Sequence, residues 1–242
     1  YAPVLDIHTN PKNPVIGDRA FAETADQVAR LGRMMVRTLQ SAGLAACGKH
    51  FPGHGDTSTD SHLELPLVEH DPDRLRAVEF TPFRAAIAEQ VAFMMTAHVL
   101  VPSLDETRPA TLSPKVVQAI LRDELGYQGV ILSDDLEMKA VSAKYDVPDA
   151  AVEAIAAGCD AVLVCSGDVD LQGRTLEALV RAVESGRIPA RRADDATVRL
   201  RRAKERFLIG DRPGAAARIR ALRTVLGREE HQLVAAEMAA YL

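Results

Sequence analysis

The chain has 242 residues, 47% hydrophobic and 26% charged, which suits one large folded domain or two small ones. A formal net charge of −5 with no basic patch argues against nucleic acid as a partner, and no apolar run approaches the length of a bilayer span. Only three cysteines occur, Cys47, Cys159 and Cys165, each beside apolar residues, so they read as buried small hydrophobes in a reducing compartment rather than a disulfide framework.

Strand-like and helical runs alternate along the chain. Residues 1–7 read as a strand. The sequence opens on Tyr1 rather than methionine, so the natural amino terminus and any targeting signal are expected to lie outside it. A loop with Asn10, Pro11, Asn13, Pro14 and Gly17 leads to a helix over about 23–42. There Val28, Leu31, Met35 and Leu39 recur at helical steps and Gly43 supplies the stop. Residues 44–48 form the second strand candidate and enter a polar stretch, 49–66, where Pro52, Gly53 and Gly55 exclude a helix.

Asp71 or Asp73 can cap the next helix, which carries Leu75, Val78, Phe83 and Ile87 and is expected to kink or break at Pro82. Residues 91–96 read as a strand buried on both faces. Ser113-Pro114 opens a helix that Gly126 closes, and residues 129–133 form a strand running into Asp134-Asp135. Helix 148–157, strand 160–165, and helices 172–185 and 192–208 follow. The Arg-rich segment 191–206 alternates with acidic residues and reads as a solvated face, and residues 214–242 are helical in tendency.

Repeated βα units imply a parallel sheet. Polar residues follow four of the five strands: Asp6 with His8, Lys49 with His50, Thr96 with His98, and Asp134 with Asp135. Side chains gathered at the carboxyl ends of strands are the arrangement of a TIM-type (β/α)8 barrel. A closed barrel needs eight strands, so an open doubly wound sheet is the alternative, although no Gly-x-Gly-x-x-Gly or Walker-type loop supports a nucleotide-binding version.

The stretch 49–66 holds three of the seven histidines, His50, His54 and His62. His50 and His54 have the spacing of helical metal ligands, but Pro52 and Gly53 remove the helix, and a metal site or a structural loop are the plainer readings. Asp60-Ser61-His62 is sharper. Residues two apart in an extended segment point the same way, so the carboxylate can orient an imidazole that serves as general acid and base. Asp134-Asp135 reads either as active-site carboxylates or as a cap on the following turn. Neither motif decides alone.

Together they resemble a known family. Lys49-His50-Phe-Pro-Gly-His-Gly55, Asp60-Ser-His62, Pro66 and Ser133-Asp134-Asp135-Leu136-x-Met138 are similar to the family three glycoside hydrolases, in particular their bacterial β-N-acetylglucosaminidase (β-hexosaminidase) branch. Pro3-Val4-Leu5-Asp6, Gly17-Asp18-Arg19, Met95-Thr-Ala-His98 and Gly158-Cys-Asp160 sit where that family has similar residues, so the resemblance runs from residue 1 to about 208.

The resemblance implies a retaining exo-β-N-acetylglucosaminidase acting on cell-wall fragments in peptidoglycan recycling. Asp134 would be the nucleophile, His62 the general acid/base and Asp60 its orienting partner. Arg19, Lys49 and His50 would hold the sugar. Asp135 is expected to cap or support, His54 to order the loop and His98 to line the pocket. A phosphorylase using phosphate as acceptor, or a β-glucosidase-like member, is the alternative. The substrate would be a small carbohydrate, with no metal, cofactor, nucleic acid or membrane involved, and the location cytoplasmic; the sequence carries no signal for oligomeric state. Residues 1–210 are expected to be a (β/α)8 barrel domain lacking about three N-terminal strands, with an unsealed sheet edge and an exposed apolar interior. Residues 211–242 would be a helical extension, and 231–241 resemble the opening helix of a second domain.

Overall fold

Four parallel strands form one sheet in the computed structural model of the chain, which describes residues 1–61, 63–208, 222 and 224–239. They are β1 (Cys47–Phe51), β2 (Phe93–Thr96), β3 (Val130–Asp135) and β4 (Ala161–Leu163), neighbours in chain order. Residues 2–5 add a fifth position beside β1. Cys47 N donates to Ala2 O (2.7 Å), Lys49 N to Pro3 O (3.1 Å) and Leu5 N to Lys49 O (2.6 Å).

The order of the strands decides the fold. A doubly wound sheet reverses its order at a switch point, whereas sequential parallel strands joined by right-handed crossovers make an arc of barrel wall. The chain is therefore an α/β partial barrel, and the open-sheet alternative falls away.

The crossovers are α1 (Ala25–Ser41), then α2 (Pro72–Ala77) with α3 (Phe80–Ala88), a π-wound helix (Lys115–Glu124), and α4 (Lys139–Ser142) with α5 (Val147–Ala157). Helices α6 (Val169–Glu184) and α7 (Ala190–Leu208) follow β4. Alternation along the strands splits the core in two. Leu5, Phe51, Met94 and Ile131 pack outward against the helices, while Cys47, Met95, Val130 and Leu132 face the inner side. Phe51 meets Phe80 and Phe83 at 5.4 and 5.2 Å between ring centres. Burying each of these rings contributes about 1.5–3 kcal/mol. That trio fixes α3 more firmly than the exposed ion pairs of Arg33 and Arg37 with Glu89 (both 2.8 Å), which solvent screens.

Opposite the carboxyl ends, the buried Asp160 carboxylate gathers Arg122 (2.8 Å), Arg192 and Arg199 (3.3 Å) and accepts Ile131 N (3.0 Å). It ties the foot of the sheet to α7. Gly158-Cys-Asp160 is thus scaffold, placed at the end of the sheet away from Asp134.

Several boundaries differ from expectation. The second strand is Cys47–Phe51 rather than 44–48, because pairing with residues 2–5 and with β2 begins only at Cys47 and leaves Leu44 59% exposed. Lys49 and His50 therefore lie on the strand itself. The helix after the polar loop breaks at Val78-Glu79, not at Pro82. Pro82 falls in the first turn of α3, where a missing N–H has no intrahelical partner to lose. Gly126, at φ +68°, closes the π-wound helix as expected, a conformation glycine adopts without penalty. Cys165 is exposed rather than buried, while burial pushes the Cys47 and Cys159 thiols up to about 12.

The expectation of an exposed interior is also corrected. Cys47, Met95, Val130 and Leu132 are all buried, because Leu200 and Ala203 of α7 pack against them. Among the described residues, β4 is the edge of the sheet and is half-buried along its length.

Residues Tyr1–Phe207 form one compact unit and Leu208–Leu242 another. Within the second, α8 (Glu229–Ala239) carries Glu229 and Glu230 in its first turn, where acids complement the helix dipole. The expected 210/211 boundary and Tyr241 lie outside the described residues.

Candidate active site

The site is built around a residue the sequence reading did not assign. Asp6 follows the strand-like segment 2–5 and its side chain is fully buried. Its carboxylate accepts from His50 Nδ1 (2.7 Å), His50 N (3.2 Å) and His54 N (2.7 Å). Burial alone would raise its pKa. The charge interaction and hydrogen bond with His50, and the bond from His54, outweigh that and hold the carboxyl below its ordinary value. A carboxylate can only accept, so His50 Nδ1 carries the proton there, and Nε2 has no hydrogen-bond partner among the described residues.

Beyond Phe51 the chain leaves the strand as a loop. Gly55 passes so close to Ile7 that a Cβ would stand 1.8 Å from its carbonyl oxygen, so only glycine fits. His54 is buried within this loop, with Nδ1 2.7 Å from Thr57 Oγ1 and Nε2 3.1 Å from Ser61 Oγ. Asn13 Nδ2 donates to His54 O (2.8 Å) and Asn10 Nδ2 to Thr57 O (3.1 Å). His54 therefore orders the loop. Asp56 turns aside to His70, 2.6 Å from its Nε2.

Farther along, Asp60 O accepts from Leu63 N (2.9 Å) and Glu64 N (3.0 Å). His62 itself lies outside the described residues. Ala140 N donates to Ser61 O (3.2 Å), so the loop rests on the start of α4, five residues after Asp135.

Asp134 is half-buried near the carboxyl end of β3 and accepts Asp135 N at Oδ1 (2.9 Å). The register slips between Leu132 and Asp135 in β3 and between Gly48 and Phe51 in β1. Such irregularities re-aim side chains next to active sites. Strand alternation alone is then not enough to place Lys49 and Asp134. Burial dominates the raised pKa of the Cys47 thiol, with a smaller opposing pull from Lys49 and a smaller push from Asp134. The Lys49 ammonium has no ion pair among the described residues.

Arg19 is exposed, in a single 3-10 turn, and donates to Val15 O (2.9 Å). It is on the loop that Asn10 and Asn13 pin to Thr57, without direct contact to Lys49 or His50 among the described residues. Asp135 Oδ1 accepts Glu137 N (3.2 Å), the capping role expected of it. His98 is fully buried and bonded at both ring nitrogens, so it braces the wall instead of lining the pocket.

The carboxyl ends of the strands of a barrel arc are where proteins of the (β/α)8 class place their chemistry. The family described as Glycosyl hydrolase family 3 N terminal domain matches residues 1–203, and the chain belongs to that family. It is 34% identical over 256 residues to beta-hexosaminidase A of Pseudoalteromonas piscicida, covering 99% of this chain and 42% of that protein. Over 166 residues it is 44% identical to a beta-hexosaminidase of Alkalilimnicola ehrlichii, covering 69% of this chain and 47% of the relative. The solved family 3 beta-N-acetylglucosaminidase from Paenibacillus sp. str. FPU-7 superposes with a TM-score of 0.85 at 50% identity, over 88% of this chain and 41% of that one. The chain thus spans less than half the length of each of these relatives.

Proposed function

We propose that the protein carrying this chain is a retaining exo-β-N-acetylglucosaminidase that releases terminal β-linked N-acetylglucosamine from cell-wall fragments in the cytoplasm. Asp134 is the nucleophile, His62 the general acid/base and Asp60 the residue that orients it. Lys49, His50 and Arg19 hold the sugar hydroxyls through charge-assisted hydrogen bonds. Residues 1–210 are the barrel domain and 211–242 a helical extension.

In the first step an Asp134 oxygen forms a bond to the anomeric carbon as the bond to the leaving oxygen breaks, and His62 gives that oxygen its proton. In the second, water attacks the same carbon, His62 takes the water's proton and the bond to Asp134 breaks. Two inversions give net retention. Asp6 keeps the His50 Nδ1–H fixed, so Nε2 faces the sugar in one orientation.

The bond from Ala140 N to Ser61 O (3.2 Å) supports this reading, because it holds Ser61, the neighbour of Asp60, against the start of α4, which follows Asp134 in the chain. The test is hydrolysis of chromogenic N-acetyl-β-glucosaminide against the matching β-glucoside. Preference for the former and its loss in Asp134→Asn is expected; full activity in Asp134→Asn overturns the reading.

A further inference from the structure

We propose that His98 is a positioning residue for Asp134, holding the backbone of Asp135 so that one oxygen of the Asp134 carboxylate is tied down and the other is free to react. The inference rests on the reading of Asp134 as nucleophile.

Four short contacts run in series. Thr96 Oγ1 lies 2.9 Å from Thr111 Oγ1, and Thr111 Oγ1 lies 2.8 Å from His98 Nδ1. His98 Nε2 is 2.9 Å from Asp135 O, and Asp135 N is 2.9 Å from Asp134 Oδ1. The direction of the chain follows from what each atom can do. The Asp135 carbonyl only accepts, so Nε2 carries the imidazole proton. Burial holds the ring below its ordinary pKa against the opposing pull of Asp134, so the ring is neutral and Nδ1 is an acceptor. Thr111 Oγ1 has one proton and two acceptors in reach, His98 Nδ1 at 2.8 Å and Ala97 O at 2.9 Å. The bare Nδ1 can only accept, so the hydroxyl donates there, and Thr96 donates to Thr111 in preference to the more distant Leu132 carbonyl at 3.3 Å.

The first three donors point one way, toward the Asp135 carbonyl, and each of these bonds polarises the next. Residue 135 is then gripped on both sides, its carbonyl by His98 and its N–H by Asp134. Turning either peptide plane would break a half-buried hydrogen bond. Asp134 Oδ2 has no hydrogen-bond partner among the described residues, and it is the oxygen the geometry assigns to bond formation.

The experiment compares the active parent protein with His98→Phe, His98→Gln and Thr111→Val, well below their unfolding temperatures and per folded molecule. His98→Phe should lower kcat about ten-fold or more, the scale of a small misplacement at the reacting centre, with KM changed less than about two-fold. His98→Gln, whose amide N–H can reach Asp135 O, should recover most of the loss, and Thr111→Val should show a smaller loss in kcat. If His98→Phe does not fold, the Gln and Val variants carry the comparison. Unchanged kcat in the folded variants, with only thermal stability lowered, would make His98 a packing residue and overturn the proposal.

Nitrogen NMR of the imidazole gives a second readout: protonated Nε2 with bare Nδ1 is expected, and the opposite tautomer refutes the chain. Absence of glycosidase activity in the parent would instead defeat the reading of Asp134, and the tautomer would still decide the chain.

Discussion

Replacing Asp6 with alanine probes the buried carboxylate on which the histidine cluster hangs. The side chain is 0% exposed and accepts from His50 Nδ1 (2.7 Å), His54 N (2.7 Å) and His50 N (3.2 Å). Alanine leaves these three donors without an acceptor. At about 1–3 kcal/mol for each unsatisfied buried group the sum is about 3–9 kcal/mol. Water entering the polar cavity offsets part of it, and breaking one side of a buried charged pair typically costs about 3–5 kcal/mol. The lower range is the expectation.

In a domain of this size that lowers the midpoint of thermal unfolding by roughly 6–20 °C. Urea unfolding at neutral pH reads the free energy directly. The difference between the parent and Asp6→Ala should also depend on pH. The folded-state pKa of Asp6 lies below its ordinary value, so its contribution is complete above the ordinary carboxylate range, near pH 4, and is lost as pH falls through the lowered value. A loss under about 1 kcal/mol, the scale of a surface substitution, would refute the reasoning.

Gly55→Ala puts a methyl 1.8 Å from a backbone oxygen that cannot rotate away, and should cost more than about 3 kcal/mol, whereas Gly173→Ala in α6, with nothing within 4 Å, should be neutral or slightly stabilising. Comparable urea midpoints for the two variants would contradict the packing of loop on strand. Burial holds both His54 and His98 below the ordinary histidine pKa, so each favours the folded state above about pH 6.5 and loses that contribution as pH falls toward its folded-state value. Midpoints of unfolding should therefore drop between pH 7 and pH 5, with a slope of up to about 1.4 kcal/mol per unit for each histidine; a flat profile would mean that both rings fold protonated.

Much of the barrel arc was legible because its signals are local. Apolar runs alternating with helical periods placed five strand positions, and Gly126 marked a helix end. What failed was set by partners distant in sequence. The start of β1 depends on where residues 2–5 and β2 align with it, which the apolar run 43–48 does not encode. Pro82 looked like a breaker because its place within a turn depends on where the helix restarts.

At the site, Lys49, His50 and Asp134 stood out by type and by position after apolar runs. Asp6 showed only a weak signal, a carboxylate between Leu5 and Ile7 where strand alternation would leave it buried. Its purpose becomes visible only when His50 and His54, more than forty residues on, fold against it. His98 was expected to line the pocket on the strength of the family resemblance alone. The Thr111 hydroxyl and the Asp135 carbonyl claim its two ring nitrogens instead.

The most direct test is covalent trapping. A fluorinated N-acetylglucosaminyl donor with a good leaving group slows release of the glycosyl-enzyme, and peptide mass mapping then locates the bound sugar. The account predicts one label per active protein, carried on Asp134, with none in Asp134→Asn. A label on Asp135 or on any other residue would contradict it.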